Sequence, residues 1–122
     1  METVWIKIPA SPAYLGVVRL VAAGLASRLE FTIDEIEDLK IAVDELSAYL
    51  TGSQGREGDL EVRFEVATKQ IQITGTGVFA AGQRIRTDLT EFSQMILETV
   101  VDSASLEQAN GTPSFTLVKS KR

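Results

Sequence analysis

Polar and apolar residues alternate at the start of the chain. In residues 3 to 9, "TVWIKIP", Val4, Ile6 and Ile8 share one face, the two-residue period of a half-buried strand. Pro9 ends it. Ser11 followed by Pro12 marks a helix start, because the hydroxyl accepts from an orphan N–H and proline needs no donor at the first helical position. From there Leu15, Val18, Ala22, Leu25 and Leu29 recur at spacings of three and four, which predicts an amphipathic helix to about Glu30. Thr32 with Glu35 forms a capping box, and Asp34 adds negative charge at the positive end of the helix dipole. The stripe Ile36, Leu39, Val43, Leu46 and Leu50 then predicts a second helix ending near Thr51 and Gly52, with Asp44 on its outer side. The glycine-rich "GSQGREGD" turns the chain.

Beyond the turn Leu60, Val62, Phe64 and Val66 alternate, as do Ile71 and Ile73, and two strands joined around "ATKQ" form a hairpin. The following "TGTGVFAAGQRIRT" has no period and is expected to be a connection. Asp88 and Glu91 are expected to cap a third helix whose inner face carries Phe92, Ile96 and Val100, with Met95 and Thr99 alongside. A short strand around "SASLEQ", a turn at "ANGT" and a last strand near "SFTLVK" follow, and Asn110-Gly111 is the strongest hairpin signal in the chain. Three amphipathic helices beside alternating strands predict an α+β, two-layer sandwich: a mixed, mostly antiparallel sheet of about five strands with the helices on one face.

Size and composition narrow the function. The 122 residues suit a single domain, 1–122, with one hydrophobic core, and the 44% apolar and 24% charged content is that of a globular chain. No apolar run approaches the roughly 18 residues of a membrane span and no basic-then-apolar leader opens the chain, so the cytosol is the expected location and no membrane partner is expected. With neither Cys nor His, thiol chemistry, catalytic triads and most zinc sites drop out. A net charge of −5 with scattered basic residues argues against direct contact with nucleic acid.

Within the second helix Asp38, Ile41, Glu45 and Tyr49 fall roughly on one line, so Glu45 and Tyr49 point into the same space. By spacing alone this is the solvated acidic edge of a packed helix. The order "IPASPAYLGVVRLVAAGLASRL", "DLKIAVDEL" and "FSQMILETVVDSASLEQANGTPSFTLVK" resembles the anti-sigma regulatory factor and serine-kinase family of the Bergerat-fold, or GHKL, superfamily, over nearly the whole chain. The resemblance implies that the second helix presents a Glu that activates or orients water and, four residues on, an Asn that holds magnesium beside the ATP phosphates. Glu45 matches the Glu, but Tyr49 stands at the Asn position, and a phenol is a poor magnesium ligand.

The family's adenine motif, an Asp with two glycines, corresponds to "ITGTGVF". Gly75 and Gly77 keep the glycine spacing while Ile73 stands where the Asp belongs, and Ile cannot accept from an exocyclic amine. Read locally, "TGTG" is a turn leaving an edge strand. The glycine-rich lid corresponds to "AAGQRIRTDLTEF", which has one glycine, with Arg84 and Arg86 as candidate anion contacts that are more simply solvated.

The reading that follows is a regulatory protein-binding module with a degenerate ATP site and no cofactor, whose partner is a sigma factor or an anti-sigma antagonist. The alternative is an active ATP-dependent serine-protein kinase that keeps Glu45 as base and recruits Asp44 or Asp38 for magnesium. A third is an unrelated two-layer domain whose acidic helix edge has no special role. Relatives of this kind often dimerise, and Trp5 and Phe79 are the exposed apolar candidates for a homodimer surface.

Overall fold

A computed structural model describes residues 1–80 and 85–122. Strand β1 (Glu2–Pro9) leads through a single 3-10 turn (Pro12–Tyr14) into helices α1 (Leu15–Arg28) and α2 (Ile33–Thr51), then strands β2 (Gly58–Val66) and β3 (Gln70–Phe79), helix α3 (Glu91–Val100), and strands β4 (Ser103–Ala109) and β5 (Thr112–Ser120). The sheet order is β1-β2-β3-β5-β4, with every pairing among the described residues antiparallel, where a mixed, mostly antiparallel sheet was expected. The reason is in the connections. Two hairpins and the α1–α2 excursion each return the chain in the opposite direction, and β5 inserts between β3 and β4, the two strands of like direction that α3 connects, so no parallel strands are neighbours.

One face of the sheet is buried beneath the helices. Leu60, Val62 and Phe64 of β2, Ile71 and Ile73 of β3, and Phe115 and Leu117 of β5 are inaccessible to solvent and meet Val18, Leu39, Val43, Leu46 and Leu50 in a single core. The other face carries Trp5, Arg63, Thr74 and Thr116, with the Arg63 guanidinium 5.9 Å from the Trp5 ring centroid. Of the two apolar residues offered for self-association, Trp5 is exposed, whereas Phe79 packs against the core.

Local chemistry sets most of the boundaries. Thr32 Oγ1 accepts from Glu35 N–H at 3.1 Å and Glu35 Oε1 accepts from Thr32 N–H at 2.8 Å, which is the expected capping box. Asn110 (φ 54°) and Gly111 (φ 77°) both take the left-handed backbone that a two-residue hairpin turn requires. Lys119, buried on the inner face of β5, donates to the carbonyl of Val100 at 2.7 Å and lies 3.6 Å from Asp38, tying the end of α3 to α2.

Glu35 has a second role, since its Oε2 also accepts the N–H of Arg122 at 2.7 Å. Hydrogen bonds from the Thr32 and Arg122 backbones outweigh desolvation and lower its carboxyl from 4.5 to about 2. A depressed carboxyl stabilises the fold fully above its unfolded value and loses that contribution as pH falls through the folded one. The melting-temperature gap between the wild type and Glu35→Gln is therefore expected to be widest above pH 4.5 and to close as pH falls toward about 2. A gap independent of pH would remove Glu35 from the acid response.

Two expectations about the later elements are corrected. "TGTGVF" is neither a connection nor a turn leaving an edge strand, but the second half of β3, a central strand paired on both sides. Its glycines make room for rings. A β-carbon on Gly75 would stand 2.2 Å from Cε2 of Phe115, and one on Gly77 would stand 2.3 Å from Cε2 of Phe79. On helix α3 Val100 is buried and Ile96 packs against the core as expected, but the buried arc centres on Ser93 and Leu97, and Phe92 is 66% exposed. Its N-cap is Thr90 rather than Asp88, with Thr90 Oγ1 accepting from Ser93 N–H at 3.0 Å.

Candidate functional site

Tyr49 and Glu45 leave α2 on the side that faces the N-terminus of α3, and the N-cap turn of α3 reaches them. Thr90 N–H donates to the Tyr49 hydroxyl at 3.1 Å, and that hydroxyl donates to Ser93 Oγ at 2.8 Å. Ser93 Oγ in turn donates to Glu45 Oε1 at 3.4 Å and accepts from Thr90 Oγ1 at 3.0 Å. The result is a chain of hydrogen bonds from a helix N-terminus, through a phenol and a hydroxyl, to a carboxylate. Burial pushes the Tyr49 phenol upward, but the hydrogen bonds with Ser93 and Thr90 outweigh it and hold it below its ordinary range.

An unpaired helix N-terminus presents N–H groups to an anion. In α3 two of these donors are engaged internally, Thr90 N–H by Tyr49 and Ser93 N–H by Thr90. Thr90 and Ser93 were not among the residues singled out from sequence. The signal was present, a Thr followed three positions later by a small hydroxyl residue, but Asp88 and Glu91 competed for the same capping role.

Ile73 lies apart from this network. It is fully buried in β3, with Phe64 and Leu117 as its cross-strand neighbours, and so belongs to the core. Gly75 and Gly77 continue the same strand beneath the rings of Phe115 and Phe79. The structure thus unites Glu45 and Tyr49 and leaves Ile73, Gly75 and Gly77 as interior strand positions. Arg86 is exposed; Arg84 and the neighbouring glycine of the expected lid lie outside the described residues. Among the described residues no three acidic side chains converge as a metal site. Asp44 pairs with Arg19 at 3.0 Å on the α1 side of α2, and Asp38 faces Lys119.

No protein-family model matches the chain. Among curated proteins, the serine-protein kinase RsbW of Bacillus pumilus (strain SAFR-032) is 40% identical over 78 residues, 60% of this chain and 48% of that protein. The protein of the same name from Bacillus subtilis (strain 168) is 40% identical over 70 residues, 55% of this chain and 44% of that one. The matched region therefore spans about half the length of these curated relatives. Among solved structures, the crystal structure of the RsbU and RsbW domains of Rv1364c from Mycobacterium tuberculosis aligns with 99% of this chain and 32% of its own, with a TM-score of 0.70 at 16% identity. That likeness carries the fold.

Proposed function

Because the chain belongs among the homologues of the serine-protein kinase RsbW and shares the GHKL-type fold, we propose that it is an anti-sigma-type regulator that works as a protein-binding module. In this reading it sequesters a sigma factor or pairs with an anti-sigma antagonist, and it phosphorylates nothing. The observation that carries the reading is the bond from Thr90 N–H to the Tyr49 hydroxyl, with Ser93 drawn in behind it. It joins α2 directly to α3 across the space where, in the family this chain resembles, the helix and the lid hold phosphates.

Mg-ATP does not fit the residues present. The position that would hold the metal is a phenol already bonded at both ends, and the position that would read adenine is an isoleucine inside the core. Glu45 retains a carboxylate, and its near neighbour is the Ser93 hydroxyl at 3.4 Å. No phosphoryl-transfer step is assigned to it. The scaffold then offers its surface, through shape and charge, to another protein.

The test is a pair of measurements on the purified chain with the sigma factors and antagonist proteins of its own cell. A complex is expected to form without nucleotide, and no phosphate is expected to pass from ATP to an antagonist serine. Phosphate transfer that Glu45→Ala abolishes would establish the kinase reading instead.

A further inference from the structure

Helix α3 carries more apolar surface than its packing covers. Leu97 and Val100, with Ser93, face the core, and Phe92, Met95 and Ile96, with Thr99, lie on the adjoining side. Phe92 is 66% exposed and Met95 58%. Ile96 lines an open depression together with Ile41, Asp44 and Glu45 of α2, so the apolar strip crosses from one helix to the next. Scattered apolar residues on a surface need no explanation, but a strip continuous over two helices marks a contact surface.

Its charge indicates what kind of surface meets it. Arg19, the α1 cation beside the depression, is already bonded to Asp44 at 3.0 Å. Glu45, bonded by the Ser93 hydroxyl, and Glu91, next to Phe92, are in no ion pair among the described residues. The strip is thus apolar along its centre and anionic at its edge. Anionic lipid and nucleic-acid phosphates would be repelled, and a second copy of this chain would bring the same carboxylates against one another.

Resting on the protein-binding reading above, we propose that this α2/α3 strip is the docking surface for a partner protein, which it engages through a basic amphipathic helix. The helix sets aliphatic side chains against Phe92, Met95, Ile96 and Ile41, and Lys or Arg against Glu45 and Glu91. Exposed apolar anchors with a charged rim are the arrangement that gives both affinity and steering.

The test places a photo-reactive benzoylphenylalanine at the position of Phe92 and, separately, at that of Trp5 on the opposite face. The full chain is then cross-linked in its own cells and the attached peptides are sequenced by mass spectrometry. The expected result is one protein captured at the Phe92 position through a segment of net positive charge with apolar residues at helical spacing. A synthetic peptide of that segment should bind the M95S variant at least about tenfold more weakly than the wild type, with the melting temperature unchanged. No adduct, an adduct to lipid or to this chain itself, a net-acidic segment, or equal binding by M95S would overturn the proposal. Capture of a sigma factor or antagonist only at the Trp5 position would overturn the docking surface and leave the anti-sigma reading standing. Capture of an unrelated protein at the Phe92 position by such a basic segment would uphold the surface and sink that reading.

Discussion

Val43→Asp is expected to leave the chain unfolded at room temperature. Val43 is wholly inaccessible on the inner face of α2, in the core that also holds Leu39, Leu46 and Leu50. The substitution forfeits about 1.5–3 kcal/mol of apolar burial. It also forces a carboxylate into an environment where an unpaired charge costs several kcal/mol more. A domain of this size has about 5–15 kcal/mol in total, so the two losses together consume most of it. Asp44→Ala, one residue along, is the control. Asp44 is on the outer side in an ion pair with Arg19 whose two side chains are 43% and 42% exposed, and such pairs contribute about 0–1 kcal/mol. Circular dichroism should show a folded Asp44→Ala melting close to the wild type and no cooperative transition for Val43→Asp. Equal melting temperatures would contradict the assignment of the two helix faces.

Mg-ATP is expected to bind about a hundredfold or more weakly than to a relative with intact motifs. Each lost polar partner removes on the order of 1–3 kcal/mol, and two are missing, the metal-holding amide at Tyr49 and the adenine-reading acid at Ile73. Tyr49 deepens the deficit because its ring and hydroxyl occupy the approach to the α3 N-terminus and engage the Thr90 N–H. Restoring the amide with Tyr49→Asn alone is not expected to recover binding, since the adenine acid is still missing. Adding Ile73→Asp would bury a charge between Phe64 and Leu117. Titration calorimetry with ATP and magnesium decides the matter. A micromolar dissociation constant lost in Glu45→Ala would mean that the pocket works in altered form and would favour the kinase reading.

Where the chain is governed by nearest neighbours, its sequence is readable. The capping box at Thr32 and Glu35, the Asn110-Gly111 turn and the alternation of β1, β2 and β5 all appear as expected, because each depends on residues within a few positions of one another. The inner stripe of α2 was equally legible, Leu39, Val43, Leu46 and Leu50 leaving little choice of face. Helix α3 was not. Its expected stripe of Phe92, Ile96 and Val100 shares Val100 with the buried arc of Ser93, Leu97 and Val100, and periodicity alone cannot rank two overlapping arcs.

What decided that face was Ser93, a polar residue drawn inward by a hydroxyl 44 residues earlier in the chain. The same distinction applies to β3: Gly75 and Gly77 weaken a strand by local propensity, and become strand residues here because Phe115 and Phe79 lay rings over them. By itself the sequence determined most of the elements, the α2 cap, the acidic α2 edge and the departure of Tyr49 and Ile73 from the nucleotide pattern, since these are properties of residue type and spacing. The tertiary structure alone decided that Tyr49 bonds the N-cap of α3 and that Phe92 and Met95 stay outside the core. Those outcomes depend on which distant polar groups find partners when α2, α3 and the sheet close together.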